Sequence, residues 1–194
     1  MNLPNQITLF RLVLVFPFVV ALSLESFPAK VVALVIFVVA SATDYLDGYL
    51  ARRLGQITVF GQLLDPLVDK ILTLAAFIFL AAAHALPAWA VIIIASREFL
   101  ITGLRLAASA QGRILAADRL GKQKTTWQTI TILFFLGESC FATQGVHLSG
   151  WAGVIGTVLL TITLILTIIS GAGYLLEIPG SAASLTGNTQ PLQV

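Results

Sequence analysis

Apolar residues fall in six long runs, at about 7–24, 30–50, 61–83, 87–109, 125–144 and 150–176. Each is close to the ~20 residues that cross a bilayer as an α-helix. The breaks between them carry turn chemistry: Glu25–Pro28, Gly55–Thr58, His84–Pro87, Gly112–Gly121 and Gly145–Gly150. The pattern predicts an all-α integral membrane protein, a bundle of six transmembrane helices forming one domain over residues 1–178. From Pro179 the sequence turns small, polar and uncharged, so residues 179–194 are expected to form a disordered tail. No internal repeat subdivides the chain.

Composition supports this reading. Hydrophobic residues make up 58% of the chain and charged residues only 10%, against about 25% charged in a soluble domain. A net charge of +2 is too small to argue for nucleic acid as a partner. The lone Cys140 has no intrachain partner for a disulfide and reads as a small apolar residue in a span. Leu12–Leu24 is an apolar run, and Ala21-Leu22-Ser23 within it loosely resembles a signal-peptide cleavage site. However, Arg11 is the only charged side chain before it and further spans follow, which favours an uncleaved first helix. Arg52 and Arg53 lie beside the second loop, and Arg113, Arg119, Lys122 and Lys124 in the fourth, whereas the alternate loops hold only Lys30. Basic loops stay in the cytoplasm, so this multi-pass chain is expected to keep both termini there.

Four aspartates run against the apolar pattern. Asp44 and Asp47 sit at the end of the second run, Asp65 and Asp69 at the start of the third. Left unpaired within a span, they would together cost roughly 10 kcal/mol on insertion scales. On helices, each pair projects from one side. A short connecting loop would make the two helices antiparallel neighbours with both pairs facing one cleft on the cytoplasmic side. Hard oxygen ligands suit Mg²⁺, Mn²⁺ or Ca²⁺. Four carboxylates can hold two metals about 3.5–4 Å apart, an arrangement that clamps a phosphoryl group. Gly48 and Gly61 flank the aspartates despite the helical cost of Gly, about 1 kcal/mol. They point to close approach by a ligand, or to tight helix packing. Pro66 either bends the third helix or marks a late start to it. Two other accounts compete: structural pairing of the acids with Arg52, Arg53 and Lys70, and a small cation transporter with carboxylates along its ion path.

The segment reads Asp44-x2-Asp47-Gly48-x2-Ala51-Arg52-x8-Gly61-x3-Asp65-x3-Asp69. It resembles the signature of the CDP-alcohol phosphotransferases at all eight defining positions, with spacing intact. Further stretches, LPNQITLFRLVL, LDPLVDK, REFLITGLRL and LGKQKTTWQT, resemble bacterial members of the family that use glycerol 3-phosphate as acceptor, and the likeness extends to about residue 175. The resemblance implies a six-helix homodimer in the cell (inner) membrane, with its active site on the cytoplasmic side. It implies CDP-diacylglycerol and glycerol 3-phosphate as substrates among membrane lipids, and two divalent metals, Mg²⁺ or Mn²⁺. Carried over by position, Asp44, Asp47, Asp65 and Asp69 are metal ligands, with Asp65 bridging and Asp69 also the general base. Gly48, Ala51, Arg52 and Gly61 would bind CDP-diacylglycerol. A different acceptor alcohol within the family is the nearest alternative.

A dianionic acceptor needs cations. Arg97 and Arg105, two turns apart in the fourth run, and Lys122 and Lys124 at the head of the fifth are the candidates, with Thr8 and Arg11 as weaker ones. Arg97 is placed mid-span, where a salt bridge to Glu98 is an equally good reading. Basic loops alone would account for the two lysines. His84 and His147 fall in loops away from the aspartates. Trp89, Trp127 and Trp151 lie near span ends, as interfacial anchors do. Glu138 in the fifth run has no assigned role.

Overall fold

The protein is described by a computed structural model over residues 3–54, 59–110, 119–146 and 150–182, with side chains at 9–43, 67–68, 70–108, 121–146 and 150–174. The described residues form six α-helices: α1 Leu3–Ser23, α2 Phe27–Leu54, α3 Val59–Ala82, α4 Ala88–Ala110, α5 Arg119–Ala142 and α6 Gly150–Ala182. Each coincides with one apolar run. α3 begins ahead of Pro66, so that proline does not mark the helix start. α6 continues through Pro179 to Ala182, and residues 183–194 of the expected tail lie outside the described residues.

The ends follow from local chemistry. The Ser26 carbonyl accepts from Lys30 N–H at 3.1 Å, and Pro28 sits in the first turn of α2, where its missing donor costs nothing. α3 closes with Ala85 N–H on Leu80 O at 2.9 Å and His84 N–H on Ala81 O at 3.0 Å. α5 closes in the same way, with Val146 N–H on Phe141 O at 3.2 Å and Gly145 N–H on Ala142 O at 3.0 Å. Both are Schellman ends, which require a left-handed residue after the last turn. Gly145 fills that position with φ 71°, and His84 fills the other with φ 57°.

Among the described residues α1 packs on α2 and α3, α5 on α2, α3 and α6, and α4 on α3 and α6. The core takes Phe18 and Leu22 from α1, Phe37 from α2, Phe77 and Leu80 from α3, Ile94 from α4 and Ile132 and Leu136 from α5. Ala33, Ala40, Ala76 and Ala90 lie between them at 0–1% exposure and let the helices approach closely. α6 buries a stripe of hydroxyls, Thr163, Thr167 and Ser170. Thr163 Oγ1 is 2.8 Å from Thr131 Oγ1 of α5. A Cβ on Gly156 would stand 2.9 Å from the Phe135 ring, so only glycine fits that crossing.

The bundle's outer surface is apolar. Phe16 is 72% exposed, Ile92 64% and Trp151 77%, as suits contact with lipid. The segment Gly150–Tyr174 of α6 is long and apolar enough by itself to cross a membrane, and Leu9–Ser23, Phe27–Thr43 and Lys70–Ala82 are shorter apolar stretches. α4 and α5 carry charges within their length, Arg97, Glu98 and Arg105 in one and Lys122, Lys124 and Glu138 in the other.

Candidate active site

Asp44, Asp47, Gly48, Ala51 and Arg52 lie in the last turns of α2, and Gly61, Asp65 and Asp69 in the first turns of α3. Because successive helices alternate in direction, these two stretches belong to the same end of the bundle. The side chains of all eight signature positions, and that of Thr8, lie outside the described residues. The backbone alone therefore places them: two carboxylates per helix, at i, i+3 on α2 and i, i+4 on α3, each pair on one stripe. Hard, anionic oxygen donors grouped in this way suit divalent cations.

Among the described residues at the same end, the structure brings together a buried polar cluster. Its centre is Glu98 of α4, 3% exposed. Lys70 of α3 places Nζ 2.9 Å from Glu98 Oε2. Lys124 of α5, 2% exposed, donates its ammonium to Glu98 Oε1. Gln128 Nε2, one turn further along α5, donates to the same oxygen at 3.3 Å. Arg97 Nη1 is 3.4 Å from Glu98 Oε1, and its Nη2 donates to Ser170 Oγ of α6 at 2.9 Å. Gly171 makes room for the arginine stem, since a Cβ there would be 3.1 Å from Arg97 Cγ. One carboxylate thus joins α3, α4 and α5, and Arg97 adds α6. A cavity of about 10 Å³ lined by Lys70, Glu98, Thr125 and Gln128 adjoins the cluster, room for about one water molecule.

Charge sets the character of this cluster. Among the described residues three cations, Lys70, Arg97 and Lys124, surround one carboxylate, and charge this buried acts strongly on nearby anions. Lys70 is the residue after Asp69, so the cluster adjoins the acidic signature along α3. Among the described residues Lys70 pairs with Glu98.

The expected acceptor-phosphate residues divide by position. Arg105, near the end of α4, and Lys122, in the first turn of α5, are exposed. Lys124 is buried on Glu98, and Arg97 lies between Glu98 and Ser170, the salt bridge that its mid-span place suggested. Arg11 of α1 is buried at 4% exposure. Reading the sequence missed the hub itself. Its members are separated by 28 residues from Lys70 to Glu98 and by 26 from Glu98 to Lys124. The available signal was a carboxylate and a lysine, each placed inside an apolar run with no partner one turn away.

The six-helix bundle with its apolar outer surface defines a helical membrane protein. The sequence profile described as CDP-alcohol phosphatidyltransferase matches residues 1–169. The chain belongs to this CDP-alcohol phosphatidyltransferase family, membrane enzymes that use a divalent metal. It is 45% identical over 143 residues to a CDP-diacylglycerol–glycerol-3-phosphate 3-phosphatidyltransferase of Bacillus subtilis, covering 68% of this chain and 74% of the relative. It is 39% identical over 176 residues to a probable phosphatidylglycerophosphate synthase of Mycobacterium tuberculosis, covering 89% of this chain and 79% of the relative. A Haemophilus influenzae protein with the same name as the Bacillus relative is 35% identical over 185 residues, covering 93% and 95%.

Proposed function

We propose that this protein transfers the phosphatidyl group of CDP-diacylglycerol to glycerol 3-phosphate, giving phosphatidylglycerophosphate and CMP. The observation that carries the reading is the complete eight-position signature, spread over the end of α2 and the start of α3, in a chain whose relatives bear the name of that activity over most of its length. The protein is read as six membrane spans with both termini and the aspartates on the cytoplasmic side, and as a homodimer.

Asp44, Asp47, Asp65 and Asp69 would hold two divalent cations, Mg²⁺ or Mn²⁺, and their donor chemistry fits them. When bound, the metals supply charge neutralisation for the pyrophosphate and its leaving CMP. The chain's own residues do the rest. Gly48, Ala51 and Gly61 leave space for the nucleotide, and Arg52 offers a fork for phosphate oxygens. Asp69 takes the proton of the glycerol hydroxyl as its oxygen bonds to the phosphorus bearing the diacylglycerol. The bond from that phosphorus to CMP breaks, and CMP departs with the electron pair. Arg105 and Lys122, exposed at this end, receive the acceptor's phosphate. Lys124 and Arg97, held by Glu98, add positive charge one layer deeper, and Thr8 and Arg11 are the weaker candidates for contact with the same phosphate.

Purified protein given CDP-diacylglycerol and a panel of alcohols tests the reading. CMP release with glycerol 3-phosphate, dependent on divalent metal, is expected. Release only with another alcohol, or release that persists in excess chelator, overturns the acceptor or the metal mechanism respectively. Asp69→Asn should lower turnover by about 10²–10⁴-fold, the usual worth of a general base, while CDP-diacylglycerol binding survives.

A further inference from the structure

At the end of the bundle opposite the aspartates, the α3–α4 and α5–α6 hairpins stand apart around a cavity of about 880 Å³. That volume is within the range of small-molecule sites, about 300–1,000 Å³. Its floor is apolar, made by Leu80, Phe135, Leu160 and Leu164. Its polar groups are Glu25, Lys30 and Glu138, with hydroxyls of Ser139, Thr143 and Thr157 nearby. Trp89 stands at the mouth, 58% exposed, at the level where tryptophan anchors a protein to lipid headgroups.

The charged groups are only partly used. Lys30 is 8% exposed, donates one hydrogen bond to Leu22 O at 2.6 Å and lies 4.6 Å above the Phe79 ring. An ammonium has three donors; one goes to Leu22 O, another side meets the Phe79 ring, and Glu25 acts on it through its charge, which leaves one donor for a guest. Glu138 is half-buried, and no described residue pairs with it. A carboxylate in that setting calls for a cationic or hydrogen-bond-donating partner. Two carboxylates and one ammonium also disfavour a purely anionic guest.

We infer that this cavity binds a zwitterionic, amine-headed membrane phospholipid. Its phosphate meets Lys30, its ammonium meets Glu138 with Glu25 at the rim, and an acyl chain lies along the apolar floor. The depth profile agrees, with polar groups at the mouth and leucine and phenylalanine below. A second copy of this chain seated over the mouth by its apolar surface would leave the half-buried Glu138 without a cationic partner.

The test is native mass spectrometry of the full chain titrated with phosphatidylethanolamine or phosphatidylglycerol, compared between wild type, Glu138→Gln and Thr157→Phe. Preferential retention of the amine lipid is expected. Glu138→Gln should weaken it about tenfold, the loss of one charge-assisted hydrogen bond. Thr157→Phe, which fills the cavity from α6, should abolish retention of both. Equal retention of the two lipids with no effect of Glu138→Gln overturns the inference, as does wild-type protein that retains neither. Disulfide capture of two copies through Trp89→Cys at the mouth also overturns it. The measurement needs no turnover, so it stands apart from the reaction proposed above.

Discussion

Glu98 is the residue on which most of the described internal charge depends, and the consequences of removing it are not symmetric. Lys124→Met leaves the carboxylate with Lys70 and Arg97 still beside it. Glu98→Gln leaves three cations around a neutral amide. Breaking a buried pair so that charge is stranded costs about 3–5 kcal/mol, so Glu98→Gln should be the more damaging change, and Lys124→Met the milder. Denaturation in detergent would check the order; equal losses would mean that Lys124 alone matters to Glu98. None of this was legible as a network in the sequence. Arg97 and Glu98 are adjacent, so their pairing could be expected, but adjacent residues on a helix diverge, and the geometry confirms a long contact of 3.4 Å. The shorter partners come from other helices, which no local pattern reveals. The acidic signature was legible in full because its spacing is local and its residues are few.

At the scale of the element, the six helices were readable from apolar runs alone, and the differences lie at their ends. α5 begins at Arg119, ahead of the expected apolar start, because Lys122 and Lys124 are helical residues whose charges face respectively outward and into the bundle. The two Schellman ends give a matched pair of predictions. His84 holds a left-handed conformation that costs an ordinary residue roughly 1–2 kcal/mol, part of which glycine returns in unfolded-chain entropy. His84→Gly should therefore stabilise by about 0.5–1 kcal/mol, and Gly145→Ala should destabilise by about 1 kcal/mol. Unfolding midpoints of the two variants should move in opposite directions; shifts of the same sign would show that side-chain contacts outweigh the backbone at one of these ends. The Gly156 crossing is stricter. Gly156→Ala puts a methyl group 2.9 Å from the Phe135 ring, and overpacking of this kind costs about 1–3 kcal/mol.

At the scale of the molecule, alternating helices sort the chemistry to two ends: carboxylates, Arg105 and Lys122 at one, the Trp89-rimmed cavity at the other. The orientation reading predicts that, in a Cys140→Ala background, Lys122→Cys is labelled only after the membrane is made permeable, while Gln144→Cys, exposed at the opposite end, is labelled from outside intact cells. The reverse pattern would invert the topology. The Glu98 hub also bears on the order in which the bundle is built. Chains are made from the N-terminus, so on the proposed six-span reading α4 would reach the bilayer before α5 exists, with Glu98 as yet without Lys124. Lys70, already delivered by α3, is the partner at hand. A carboxylate deep in a span costs about 2.5–3.5 kcal/mol, and an α3–α4 hairpin that enters with Lys70 on Glu98 avoids much of that barrier. On that reading Lys70→Ala should lower the yield of inserted protein more than the stability of protein already assembled, and equal losses in pulse-labelling and unfolding would argue against it.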